Sequence, residues 1–100
     1  MNAGAIPIVK GNVSFGLCNI HTSNLIFGEA MNPYNFQRSC GGGSGGDAGL
    51  VTARCVPFAI GTELCGSLTI PTSFCGAYCF KPTAGRTTNR GIGSPLISRF

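Results

Sequence analysis

The stretch Gly41-Gly-Gly-Ser-Gly-Gly46 leads directly into Asp47-Ala-Gly-Leu-Val-Thr-Ala-Arg-Cys-Val56. In the second part, small and apolar residues recur at the spacing i, i+3 and i+7, namely at Ala48, Val51 and Cys55. Residues at this spacing share one face of an α-helix. The sequence therefore predicts a glycine loop that opens a short helix.

The ends of this helix are also marked in the sequence. Ser44 or Asp47 can cap its N-terminus, because a short polar side chain accepts a hydrogen bond from the first free N–H groups. Pro57 cannot continue a helix. We therefore expect the helix to begin between residues 45 and 47 and to end before residue 57.

The elements predicted outside this stretch are short. The runs Ala3 to Val9 and Phe58 to Ile60 are apolar and predict buried strands. Pro71 is suited to the first position of a short helical turn. Residues 11 to 40 contain many Asn, Ser and Gly and predict loops and turns.

The composition indicates a chain whose apolar surface is covered by other segments of a larger protein. One hundred residues bound it at one domain. Hydrophobic residues reach 43% and charged residues only 10%, whereas ordinary soluble domains have about 25% charged residues. A free-standing small domain exposes most of its residues and should be richer in charge. We therefore expect a strip of a larger fold, which aggregates or stays molten when alone.

Several classes of protein are excluded by the same sequence. No apolar run reaches the roughly 18 to 20 residues of a membrane span, and the N-terminus has neither the basic region nor the cleavage site of a signal peptide. The net charge of +4 comes from scattered basic residues, which does not indicate a nucleic acid partner. We expect a location in the cytoplasm or at the periphery of an internal membrane.

Six cysteines, at positions 18, 40, 55, 65, 75 and 79, raise the hypothesis of a secreted disulfide module. They lie inside apolar stretches rather than between polar loops, so buried reduced thiols are favoured. No metal site is predicted. Cys75 and Cys79 have no second pair at zinc-finger spacing, and the one histidine, His21, is far away in sequence.

A glycine loop before a helix also occurs in nucleotide-binding proteins, but both patterns fail here. A P-loop has a lysine after its last glycine, whereas Asp47 would repel a phosphate at that place. The dinucleotide pattern needs an apolar strand leading into Gly41, which the sequence lacks. Acyl transfer remains, because glycines bring backbone N–H groups close to a substrate oxygen and a serine in the same turn can attack.

The residues at this point resemble the amidase signature family, and its fatty acid amide hydrolase branch most closely. Three blocks carry the resemblance: Gly41-Gly-Gly-Ser-Gly-Gly-Asp47, Pro57-Phe-Ala-Ile-Gly-Thr-Glu-Leu-Cys-Gly-Ser-Leu-Thr-Ile-Pro71 and Phe74-Cys-Gly-Ala-Tyr-Cys-Phe-Lys-Pro-Thr83. The upstream stretches from Gly4 to Asn12 and from Asn24 to Gly28 are similar in order and spacing. The resemblance implies an α/β fold with a mixed sheet flanked by helices, truncated at both ends. Residues 1–100 would form part of an amidase domain, with the signature at about 41–83.

The resemblance also implies a chemistry. It is hydrolysis of a small carboxylic or fatty acid amide through an acyl-serine intermediate, without metal or cofactor. Ser67 stands at the nucleophile position. The backbone N–H groups at the oxyanion-hole positions belong to Leu64, Cys65, Gly66 and Ser67. The remainder of the amidase domain would be the partner needed for folding.

Two parts of the family's proton path are changed. A second serine, held by a cis peptide bond, relays the proton in the family, and its position here is Gly43. Ser44 follows it and would need a register shift to substitute. The catalytic lysine corresponds to a position upstream of Met1, because Lys10 matches a later element of the family.

The nucleophile's own turn is changed as well, with Cys65 in place of a glycine and Thr69 in place of an arginine. We therefore expect the chain alone to have no amidase activity. The alternative is a non-catalytic pseudoenzyme fragment or partial gene product. In either case Ser67 should lie in a turn beside the glycine loop.

Overall fold

The computed structural model describes residues 4–88, 90 and 91. Its elements, in chain order, are a 3-10 turn at Phe15–Leu17, strands β1 (Ser23–Asn24), β2 (Gly28–Glu29), β3 (Met31–Asn32) and β4 (Asn35–Ser39), and helices α1 (Gly45–Thr52) and α2 (Thr69–Cys75). β1 pairs with β2 and β3 with β4, each as a two-stranded antiparallel sheet. The two helices pack against each other. The predicted α/β class is confirmed.

The helix predicted after the glycine loop is present as α1. It begins at Gly45 and ends at Thr52, within the predicted bounds. It ends before Pro57 because Arg54 adopts a left-handed backbone with φ 59°, which a helix cannot contain. Cys55 therefore lies beyond the helix, and its predicted place on the helical face is wrong.

The second helix begins earlier than predicted. Pro71 is the third residue of α2 instead of its first. The Glu63 carboxylate accepts hydrogen bonds from the N–H groups of Leu68 (2.7 Å) and Thr69 (2.8 Å), so the helix is capped two residues before the proline. Proline is tolerated in this first turn because its missing N–H has no intrahelical partner there.

The two predicted buried strands do not form within the described residues. Residues 4–9 and 58–60 have no regular secondary structure, and Ala3 lies outside the described part. A strand requires a neighbour for its N–H and C=O groups. No described segment pairs with either run, so their apolar composition alone does not make them strands.

The core is small, and most large apolar side chains surround it on the outside. Cys40, Ala48 and Cys75 form the buried cluster, with Ala30 packed against it. The exposed large apolar residues are Ile6, Ile8, Val9, Phe15, Ile20, Leu25, Ile26, Phe27, Met31, Tyr34, Phe36, Phe58, Ile60, Leu64, Phe74, Tyr78 and Phe80. An apolar groove of about 290 Å³ also lies open between the β3–β4 hairpin and α1. A free-standing domain has the opposite distribution, with its large apolar side chains buried and few of them exposed.

Among the described residues, no helix is both long enough and apolar enough to cross a membrane.

We predict that the isolated chain of 100 residues does not fold cooperatively, because its buried side chains are too few and too small to offset the entropy of ordering the backbone. Circular dichroism on heating should show no sharp transition, and a dye for exposed apolar surface should bind at room temperature. A monodisperse monomer with a sharp melting transition would contradict this prediction.

Candidate active site

The glycine loop is held by a threonine from a distant part of the chain. Thr22 is fully buried. Its hydroxyl donates to the carbonyl of Gly42 at 2.6 Å and accepts from the N–H of Gly45 at 2.7 Å. Thr22 therefore caps the N-terminus of α1 and fixes the loop in front of it.

Two glycines of the loop are required by close contacts. Gly42 has φ 62°, and a Cβ there would lie 2.8 Å from the carbonyl oxygen of Ser67 and would overlap Pro71. A Cβ on Gly46 would overlap the backbone of Asn12. The loop can therefore reach these segments only as glycine.

Ser44 stands at the N-cap position of α1, but its side chain makes no capping bond. Its hydroxyl accepts from the N–H of Thr62 at 3.2 Å and lies 3.4 Å from the carbonyl oxygen of the same residue. Asp47 lies half-buried in the first turn, where burial raises the pKa of its carboxyl group. The prediction that Ser44 or Asp47 caps the helix is therefore wrong for Ser44, since Thr22 makes this bond.

Ser67 lies directly beside the glycine loop, as the resemblance described above implies. Its carbonyl accepts from the N–H of Ser44 at 2.8 Å. The residue is 8% exposed, and its hydroxyl has no hydrogen-bond partner within the described part of the chain. A Cβ on Gly43 would lie 2.9 Å from the Ser67 Oγ. Position 43 therefore faces the Ser67 hydroxyl, whereas the Ser44 hydroxyl is bonded to Thr62.

The backbone around Gly43 is ordinary for a residue with a side chain. Every peptide bond in the described residues is trans, and Gly43 lies outside the left-handed region. A new Cβ at this position would also lie 3.1 Å from the Ser67 Cβ, so a serine there requires the Ser67 hydroxyl to rotate and the two segments to separate slightly.

Glu63 organises the turn that carries Ser67. Besides capping α2, its carboxylate accepts a hydrogen bond from the N–H of Gly66. Burial opposes ionisation of this group, but the hydrogen bonds from the backbone of Gly66, Thr69 and Leu68 outweigh burial and hold the pKa of Glu63 below its ordinary value of 4.5. The Gly66 N–H is therefore occupied, whereas those of Leu64, Cys65 and Ser67 have no partner among the described residues.

Beside this turn lies a small cavity of about 110 Å³, which we call the Ser67 cleft. It is lined by Cys18, Asn19, Ile20, Cys65, Gly66, Ser67 and Ile70. Cys65 lies outside the left-handed region, and the adjoining Gly66 takes φ 114° instead. The turn therefore accommodates a Cβ at position 65. Lys10 is exposed and does not line the cleft.

All six cysteines are free thiols, but only two of them are buried. Cys40 and Cys75 lie in the core, whereas the prediction of buried thiols is wrong for Cys18, Cys55, Cys65 and Cys79, which are exposed. Burial, with the hydrogen bond and charge of the neighbouring Cys75, raises the pKa of Cys40 to about 12. Within the described residues, no group of three or more His, Cys, Asp or Glu side chains is placed to hold a metal ion.

Sequence reasoning missed Thr22 and Glu63. A hydroxyl that bonds backbone groups 20 and 23 residues away leaves no periodic pattern that could reveal it. Glu63 does leave one, because an acidic residue shortly before a helix often accepts from its first N–H groups. The start of the helix would have had to be placed at Thr69 to recognise it.

Comparison with known proteins gives the same family for nearly the whole chain. A family model described as Amidase matches residues 1–99. The chain is 43% identical over 93 residues to a vitamin D3 hydroxylase-associated protein of Gallus gallus, covering 93% of this chain and 20% of that protein. It is 38% identical over 89 residues to fatty-acid amide hydrolase 1 of Sus scrofa, covering 89% of this chain and 15% of that protein.

A third relative is fatty acid amide hydrolase 1 of Caenorhabditis elegans, which is 41% identical over 93 residues. The match covers 93% of this chain and 16% of that protein. The chain thus spans about a fifth or less of the length of these curated relatives. No solved structure gives a significant match.

We predict that Thr22→Val loosens the glycine loop, because it leaves the buried Gly45 N–H and the Gly42 carbonyl without their partner. Each such group costs about 1–3 kcal/mol. The measurement is made in trimethylamine N-oxide, which favours compact states. Alkylation of the buried Cys40 should be at least about fivefold faster in Thr22→Val than in the unchanged chain, which is the equivalent of about 1 kcal/mol. Thr22→Ser keeps the hydroxyl and serves as the control. Equal protection of Cys40 in the two variants would contradict the role assigned to Thr22.

A second prediction concerns the pH dependence of folding. Because the pKa of Glu63 is lower in the folded state, its contribution to stability is present above the unfolded value of 4.5 and is lost as the pH falls through the folded value. The Glu63 part of the pH dependence should therefore raise the osmolyte concentration needed for folding on acidification, whereas Asp47, whose pKa is raised by burial, acts in the opposite direction. Glu63→Gln should reduce this dependence, whereas Glu29→Gln, which alters an exposed carboxylate, should preserve it. The same pH dependence in both variants would refute the assignment.

Proposed function

This chain belongs to the amidase family, and we propose that it forms the nucleophile-bearing part of an amide hydrolase. The observation that carries the proposal is the position of Ser67, whose unpartnered hydroxyl lines a cleft beside the glycine loop. In this proposal residues 1–100 are part of one amidase domain, with the signature at about 41–83. The substrate is a carboxylic or fatty acid amide, and no metal or cofactor takes part.

The chemistry we propose follows from the turn. The Ser67 Oγ attacks the amide carbonyl carbon, and the new bond pushes the carbonyl electrons onto oxygen. The N–H groups of Leu64, Cys65 and Ser67, which have no partner among the described residues, are the donors for this oxyanion. Collapse of the intermediate releases the amine, which must take up a proton, and leaves an acyl group on Ser67 for hydrolysis by water.

The proton path is the incomplete part. Gly43 faces the Ser67 hydroxyl but has no group that carries a proton, and the Ser44 hydroxyl is bonded to Thr62. No described basic side chain lines the cleft. We therefore propose that the base, a lysine in the family, belongs to a part of the domain outside these 100 residues. Loss of a positioned proton carrier costs about 10² to 10⁴ in rate.

The same observations support a second candidate function, a non-catalytic member that binds an acyl or amide ligand. Gly43 breaks the relay, and Glu63 occupies the Gly66 N–H at one of the four proposed oxyanion positions. In either case we propose that the exposed apolar face packs against the remainder of an amidase domain. We also propose a location in the cytoplasm or at the surface of an internal membrane.

We predict that the chain of 100 residues does not hydrolyse an aryl amide, because a serine hydroxyl is a weak nucleophile until a base takes its proton. In a longer protein that supplies the family's lysine, Gly43→Ser should raise turnover by about 10² or more. It should also increase labelling of Ser67 by a serine-directed phosphonate. Turnover is measured by release of the aryl amine, and labelling by peptide mass spectrometry.

Ser67→Ala in the longer protein is the matched control and should abolish both signals. If Gly43→Ser restores neither turnover nor labelling, position 43 is not the relay, or Cys65 is the dominant defect, and the binding function is favoured. Turnover by the native chain alone would overturn the inactive-fragment prediction.

A further inference from the structure

The Ser67 cleft contains two thiols that the proposed hydrolysis does not use. Cys18 and Cys65 are both exposed and both line the cleft. The cleft also contains the hydroxyl of Ser67, a residue that is more than nine-tenths buried, and this hydroxyl has no partner among the described residues. A cavity of this kind, with nucleophilic sulfur at its edge and a free hydroxyl in its wall, is equipped to hold a reactive carbonyl group.

We propose that Cys65 is an acyl acceptor. In this proposal the cleft binds activated acyl donors, thioesters above all, and the Cys65 sulfur becomes S-acylated. The inference shares its cleft with the proposed function but not its nucleophile. A thiol is a strong nucleophile near neutral pH because a few per cent of it is already thiolate. Cys65 therefore needs neither the relay that Gly43 lacks nor a lysine.

The step balances without a redox partner. The Cys65 thiol loses its proton to water, and the sulfur attacks the carbonyl carbon of the thioester. The carbon–sulfur bond of the donor then breaks, and the donor thiolate leaves with the electron pair and takes up a proton from water. A new thioester at Cys65 and one free donor thiol are the products.

The neighbouring groups favour this reaction at Cys65 over an exposed thiol outside the cleft. Cys65 and Ser67 both line the cleft, and the N–H group of Cys65 and the hydroxyl of Ser67, which are unpartnered in the described structure, are available to donate to the developing oxyanion. Cys55 is also exposed, but it lies beyond the end of α1 and outside the cleft. It is the internal control for ordinary thiol reactivity.

The test treats the full chain with the acetyl thioester of N-acetylcysteamine and follows each cysteine by peptide mass spectrometry. Trimethylamine N-oxide is present to favour the folded state. Protection of the buried Cys40 and Cys75 reports that the core has formed. Under this condition Cys65 should be acylated about tenfold faster than Cys55, a modest share of the effect that oxyanion donors have in enzymes. Urea should make the two rates equal.

Ser67→Ala should lower the ratio of the Cys65 rate to the Cys55 rate towards one, because it removes the hydroxyl donor. Equal rates at Cys65 and Cys55 while the core thiols are protected would overturn the inference and leave the hydrolase proposal to its own test. Acylation of Ser67 in place of Cys65 would overturn the inference and favour the hydrolase proposal. Core thiols that stay unprotected at the highest osmolyte concentration would also overturn it, because the cleft depends on that core.

Discussion

The hydroxyl of Thr22 is the contact on which the candidate site depends. It joins the Gly42 carbonyl to the Gly45 N–H, and so spans the bend between the glycine loop and α1. Thr22 also accepts through its own carbonyl from the N–H of Ala30 at 2.9 Å, which ties it to the segment between β2 and β3. One buried residue thereby fixes the loop and the helix start through its side chain and the segment between β2 and β3 through its backbone.

The position of Ser67 follows from that arrangement. With the loop fixed by Thr22, the Ser44 N–H donates to the Ser67 carbonyl, and position 43 faces the Ser67 hydroxyl. Glu63 acts from the other side, where its carboxylate gathers the N–H groups of Gly66, Leu68 and Thr69 into one turn. Two side chains that bond to backbone thus define the candidate site, Thr22 from a distant segment and Glu63 from the turn that carries Ser67. The position of Ser67 therefore depends on contacts with segments outside its own turn.

The sequence predicts those parts of this arrangement that depend on neighbours along the chain. Helix α1 was predictable because glycines, an apolar spacing and a proline lie within 17 residues of one another. The contact between Ser67 and the loop was expected from the resemblance to the amidase family, whose blocks are recognisable in the sequence. The runs at residues 4–9 and 58–60 were not predictable, since a strand is defined by a partner that no local pattern reveals. The role of Thr22 was not predictable either, because a side chain that bonds to backbone groups distant in sequence leaves no periodic pattern.

The two proposals assign different nucleophiles to the same cleft, Ser67 and Cys65. In the proposed hydrolysis a serine needs a base and a relay, and Gly43 has no hydroxyl at the position proposed for the relay. In the proposed acylation a cysteine needs exposure and donors for the oxyanion, and Cys65 is exposed and lies outside the left-handed region of the backbone. A serine at position 43 would act through Ser67, because a Cβ there lies against the Ser67 Oγ. A glycine at position 65 would remove the thiol and keep the backbone N–H. In the two proposals the Ser67 hydroxyl is shared, as the nucleophile of the hydrolysis and as a donor to the oxyanion in the acylation of Cys65. A change at Ser67 therefore affects both chemistries, whereas a glycine at position 65 removes the acyl acceptor and leaves the serine in place.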